Sequence, residues 1–102
     1  MALQSIKEKR EYPRMSLNCL VRTKDELGKS KQHIGINYSL RGMALHSHTP
    51  LELGEFIDLY FKIDEYNTGE INMTAEVVQN FKDGNMYITG VKFVGELPLN
   101  IQ

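Results

Sequence analysis

The chain has 102 residues, 41% of them hydrophobic and 25% charged, which suits one small globular domain and argues against disorder. Its formal net charge of −1 excludes the broad basic field of a non-specific nucleic-acid binder, so any anion site must be local. One cysteine, Cys19, excludes an internal disulfide and fits a reducing compartment.

The first segment, "MALQSIKEKR", lacks the apolar core of a signal peptide. No stretch approaches the roughly 18 apolar residues of a membrane span. A cytoplasmic protein with no membrane insertion is expected. "ALQSIKEK" has the composition for a turn or two of helix, which Pro13 stops. Residues 1–15 therefore read as a flexible N-terminal segment. Within it, "KREYPRMS" sets Arg10 and Arg14 four residues apart around Pro13. Proline pushes the preceding Tyr12 away from helical angles, so the two guanidinium groups sit on extended chain.

Six short strands follow, separated by Gly, Asn, Asp and Pro. "MSLNCLVR" (15–22) alternates imperfectly and carries Cys19 in an apolar run, where a buried, inert thiol is expected. "QHIGINYS" (32–39) places Ile34 and Ile36 on one face, and "RGMALHS" (41–47) is short. "GEFIDLYFKI" (54–63) alternates Phe56, Asp58 and Tyr60 against Ile57, Leu59 and Phe61. "EINMTAEVVQNF" (70–81) follows the turn signal "YNTG". "NMYITGVKFV" (85–94) follows "KDGN", whose Asp-Gly pair marks the best hairpin in the chain. The pattern predicts an all-β barrel or sandwich over residues 15–95. The tail 96–102, "ELPLNIQ", shows no helical period.

The second strand runs into "NYSLRG". On extended backbone Asn37 and Ser39 share a face, and Gly42 permits a tight turn or a close approach. Asn offers an acceptor and two donors, and Ser offers a hydroxyl, so the pair suits the edge of a planar heterocycle. An ordinary turn between strands is the alternative use of the same residues.

Arg10-x-x-x-Arg14, then Asn37-x-Ser39-x-x-Gly42, then strands ending in Gly90-Val91-Lys92-Phe93, resembles the PilZ domain family over roughly residues 7 to 95. That family's pattern is RxxxR followed by (D/N)xSxxG on a six-stranded antiparallel β-barrel. The resemblance implies binding of cyclic di-GMP, a bacterial second messenger, and transmission of its level to a protein effector in motility, adhesion or polysaccharide secretion. Arginine suits such a ligand, since its planar fork pairs with phosphate and with the O6/N7 edge of guanine. Arg10 and Arg14 would clamp the ligand from one side, and Asn37 and Ser39 would hold it from the barrel. Gly42 closes the second motif, where the backbone can be approached closely, and Gly90 would leave space beside the site. Arg41 is placed to reach a phosphate. Lys9 is tied by the resemblance to whether one ligand or a stacked pair is bound. No cofactor beyond this ligand is expected.

PilZ domains often carry a helix after the barrel. This tail offers little or none, so either something else covers the barrel end, such as a second copy of the chain in a homodimer or the N-terminal segment, or the chain is a shortened one. His46 and His48 share a strand face, but no further ligands for a metal stand out. No nucleophile elbow and no phosphate loop is present, so an enzyme is not expected. Two other readings remain. One is a PilZ-like protein-interaction adaptor that binds no nucleotide. The other is an oligonucleotide-binding barrel, against which the net charge and the absence of Trp argue, leaving no DNA partner expected.

Overall fold

The computed structural model of the chain describes residues 14–64 and 68–98. Six strands are present: β1 (Met15–Lys24), β2 (Ser30–Tyr38), β3 (Gly42–Ser47), β4 (Phe56–Phe61), β5 (Ile71–Asp83) and β6 (Met86–Phe93). They close an antiparallel barrel in the order β1-β2-β3-β6-β5-β4. Every strand expected from the sequence is there, and the described residues contain no α-helix. No helix among them is long and apolar enough to cross a membrane.

Alternation explains most of the core. Ile57, Leu59 and Phe61 of β4 are buried, while Phe56, Asp58 and Tyr60 face outward. Val21, Tyr38, Met43, Leu45, Leu51, Ile63, Ile71, Ala75, Val77, Val91 and Phe93 share this interior. The Phe61 and Phe93 rings stack, with centroids 6.5 Å apart. Leu97 lies beyond the last strand yet is buried, and its N–H donates to the Leu40 carbonyl at 3.0 Å. The tail thus closes part of the barrel end. The β5–β6 hairpin turns through Gly84 and Asn85, with Gly84 at φ 64°. That is the left-handed conformation glycine adopts at little cost.

The second strand departs from its expected pattern. Buried positions are His33 and Gly35, while Ile34 is on the outside. Space decides this. A Cβ on Gly35 would come within 2.9 Å of Leu17 Cδ2, so the Leu17 side chain fills that volume instead. His33 is 2% exposed, and its Nε2 lies 3.1 Å from the Thr23 hydroxyl. Burial, and secondarily the charge on Lys31, lowers its pKa to about 4, so the ring is neutral inside the barrel.

The ladders contain three register shifts, one of them in β1 between Ser16 and Cys19, and the other two re-aim side chains on the outer wall. Between Gly35 and Asn37 strand β2 holds one residue more than its partner β3, and between Val77 and Gln79 strand β5 holds one more than β6. These are β-bulges, which invert the inward–outward phase of everything after them. Closure of the barrel between β1 and β4 rests on three pairs, Arg22–Tyr60, Thr23–Leu59 and Lys24–Asp58.

Candidate functional site

Of the motif residues, Arg14, Asn37, Ser39 and Gly42 lie at the end of the barrel where β1 begins and β2 turns into β3. Strand β2 stops at Tyr38, because the Ser39 N–H donates to the Gly42 carbonyl at 2.8 Å and folds the chain back. The Arg41 N–H donates to Ser39 Oγ at 3.2 Å. Ser39 is only 4% exposed. Its hydroxyl therefore orders the turn, and the same-face alternation with Asn37 does not extend past Tyr38.

Gly42 has a steric reason. A Cβ there would collide with the Val91 carbonyl oxygen of the neighbouring strand. That carbonyl is fixed by the β3–β6 ladder, where Gly42 pairs with Lys92 and Met43 with Val91. The turn is pinned again by Phe93 N–H donating to the Arg41 carbonyl at 2.8 Å. The Arg41 guanidinium itself lies 3.9 Å from Glu96, with both side chains roughly half exposed.

Asn37 behaves differently. The bulge before it turns its side chain outward from β2. Arg14 Nη1 donates to Asn37 Oδ1 at 2.7 Å on the exposed surface. That is the length of a charge-assisted hydrogen bond, and it brings one residue of each motif together. Arg10 and Lys9 lie outside the described residues, as does the short helix expected in "ALQSIKEK".

The strand register extends this pair into a row. Asn37 is opposite Ala44 on β3, Ala44 is opposite Gly90 on β6, and Gly90 is opposite Gln79 on β5. Ala44 and Gly90 carry almost no side chain, so they form a low floor on the outer wall. A Cβ on Gly90 would stand 3.4 Å from Gln79 Cβ and 3.6 Å from Gln79 Oε1. The glycine thus leaves room beside an amide. Lys92 and Arg41 stand at this end of the barrel, each beside a carboxylate: Lys92 is opposite Glu76 on β5, and Arg41 is near Glu96. The floor can hold a flat group, and Arg14 and Asn37 can pair with its anionic or heteroatom edge.

No group of three or more metal-ligating side chains occurs among the described residues. His46 instead approaches Asp83 at 3.6 Å. Cys19 is half-buried, and burial first, then the nearby Asp64, raises its thiol pKa.

The sequence matches the family described as "PilZ domain" over residues 8–100. The chain belongs to the PilZ domain family. Solved structures agree on the fold. The Bacillus subtilis inhibitor of motility, MotI (DgrA), superposes with a TM-score of 0.75 at 19% identity, covering 87% of this chain and 44% of that one. The K. pneumonia MrkH–c-di-GMP complex gives 0.70 at 22% identity, covering 82% and 43%. The PilZ domain of Escherichia coli YcgR with c-di-GMP gives 0.67 at 17% identity, covering 84% and 78%. This PilZ chain thus spans less than half the length of MotI or MrkH. No curated protein matches it.

The PilZ motifs were legible in the sequence, but the division of labour among their residues was not. Ser39 and Gly42 build the turn, whereas Asn37 and Arg14 present polar groups outward. Gln79 stood in no motif. The one trace of its position is the pair Val77-Val78 just before it, two apolar residues in succession where a strand should alternate.

Proposed function

We propose that this chain is a cyclic di-GMP receptor that passes ligand occupancy to a protein effector and does no chemistry of its own. The observation that carries this reading is the Arg14–Asn37 hydrogen bond, which sets a guanidinium at the edge of a floor made of Ala44 and Gly90. Membership of the PilZ family and the c-di-GMP complexes of MrkH and YcgR support the choice of ligand. MotI, an inhibitor of motility, supports a role for such a barrel in controlling another machine.

The ligand is a ring of two phosphodiesters and two guanines. Arg14 would leave or share Asn37 to pair with a phosphate or a guanine edge, and Arg10 would close from the other side. Arg41 would add charge if released from Glu96. Lys9 would bear on whether a second stacked molecule is held. Ser39 and Gly42 would act mainly by fixing the turn that aims Asn37. A cytoplasmic location fits the ligand, and neither a nucleic acid nor a further cofactor is needed.

Isothermal titration tests this. Cyclic di-GMP should bind at micromolar affinity or tighter, on the order of −8 kcal/mol. GMP and linear pGpG should bind at least about tenfold more weakly, because each loses charge-assisted contacts of roughly 1.5–3 kcal/mol. Equal affinity for GMP, or binding of a single-stranded oligonucleotide instead, would overturn the proposal. Silence with every nucleotide would leave the protein-contact adaptor standing.

A further inference from the structure

Strand β5 interrupts its own alternation to turn one residue outward. Val77 is 1% exposed, so a regular strand would point Gln79 into the same interior. The bulge between them inserts Val78 as an extra residue, half of it exposed to water. Gln79 then pairs with Gly90 on the outer wall. An outward half-exposed valine and a lost ladder position are a cost, and bulges of this kind re-aim side chains beside functional sites.

The new phase is locked. The next residue, Asn80, accepts a hydrogen bond from the Thr89 hydroxyl at 2.5 Å and donates to the Leu51 carbonyl. Asn80 therefore anchors β5 to its neighbours, and Gln79 keeps its outward position. Strand β2 uses the same device for Asn37, with its bulge directly before it. Two bulges on different strands thus bring two carboxamides into one row, separated only by Ala44 and Gly90. At about 4.8 Å between strands, the row from Asn37 to Gln79 spans roughly 14 Å. A purine with its attached ribose phosphate fits within that length.

We propose that Gln79 is a specificity-determining contact of the nucleotide site, the far wall that reads the edge of a guanine lying over Gly90; this rests on cyclic di-GMP being the ligand. The amide N–H donates to guanine O6, and Oε1 accepts from guanine N1–H. Both bonds lie in the plane of the base, so they form together only when the base rests flat. Ala44 and Gly90 keep the floor low enough for that.

The test is titration of the full chain with cyclic di-GMP, with thermal melting and side-chain amide NMR alongside. Gln79→Ala should weaken binding about 5- to 30-fold, the loss of two hydrogen bonds to a neutral amide. Its melting temperature should stay within about 2 °C of the parent, since the residue is exposed. In the parent, the Gln79 Nε2 proton signals should shift on ligand addition. Gly90→Val, which raises the floor, should weaken binding as well, and Lys82→Ala, outside the row on the same strand, should not. If the parent binds cyclic di-GMP and Gln79→Ala binds within threefold of it, the inference is wrong and the proposed function stands. If the parent binds no cyclic di-GMP, the proposed function fails and this inference fails with it.

Discussion

Substituting Gly42 by alanine separates the two reasons a motif glycine can have. If Gly42 is there so that a ligand can approach, Gly42→Ala should spare the apo protein. If it is there for the fold, the apo protein should suffer. The structure favours the second, because the added Cβ meets the Val91 carbonyl oxygen within the β3–β6 ladder. A backbone carbonyl cannot swing aside as a side-chain tip can. Overpacking of this kind costs about 1–3 kcal/mol. Relief by separating the strands would also strain the Phe93–Arg41 and Ser39–Gly42 backbone bonds, each worth roughly 0.5–1.5 kcal/mol. The combined loss is about 2–6 kcal/mol. At roughly 4–8 °C per kcal/mol for a domain of this size, the melting temperature should fall by about 10 °C or more. Circular dichroism melts and urea titration of Gly42→Ala measure it. Gly90→Ala is the control, since its Cβ has room at 3.4 Å from Gln79 Cβ, and it should melt within about 2 °C of the parent. A Gly42→Ala protein as stable as the parent would refute the steric argument and return the glycine to the ligand.

Arg14→Ala should abolish detectable cyclic di-GMP binding by titration while leaving the melting temperature within about 2 °C, because the Arg14–Asn37 bond is exposed and outside the core. His33, with its folded pKa lowered from 6.5 to about 4, stays neutral in the fold while the unfolded chain takes up a proton, so stability is full above pH 6.5 and falls as pH drops toward 4. The loss attributable to this ring approaches about 3 kcal/mol, and urea midpoints of His33→Asn should show a shallower decline across that window. Equal slopes for the two proteins would refute the assignment. Cys19, its thiol pKa raised by burial, should react with iodoacetamide at pH 7 more slowly in the native than in the urea-unfolded protein, and a faster native reaction would contradict the inert reading.

Most of the fold could be read from the chain because its local rules agree. Alternation in "EFIDLYF" and the Asp-Gly turn each fix a strand or a hairpin within a few residues. What could not be read depends on neighbours distant in sequence. Whether position 35 has space for a side chain depends on Leu17, so His33 and Gly35 face inward against the apolar pattern of Ile34 and Ile36. Bulges are likewise a property of a strand and its partner together, so the outward turns of Asn37 and Gln79 left almost no mark in sequence. Leu97 sat in a tail without period, and only the finished barrel end gives it something to cover. In the site, the motif spacing singled out Arg14 and Asn37, while the hydrogen bond that joins them came only with the fold. The hydroxyl of Ser39 was spoken for by a turn that spacing alone does not distinguish from a binding edge.

The barrel is closed by the β1–β4 seam, and its three pairs join residues some 34 to 38 positions apart in the chain. Joining so distant segments carries a large loop-closure entropy and gains few rungs in exchange. Opening there should therefore be the least costly excursion of the native state, a sub-global fluctuation rather than full unfolding. Through such an opening β1 would remain attached to β2 along eight pairs, from Met15–Tyr38 to Lys24–Ser30. Arg14 and Asn37 would then travel together. Amide exchange in β4, at Leu59 and Tyr60, should outpace that in β3 and β6, making the seam the place where the breathing of this domain is first detected.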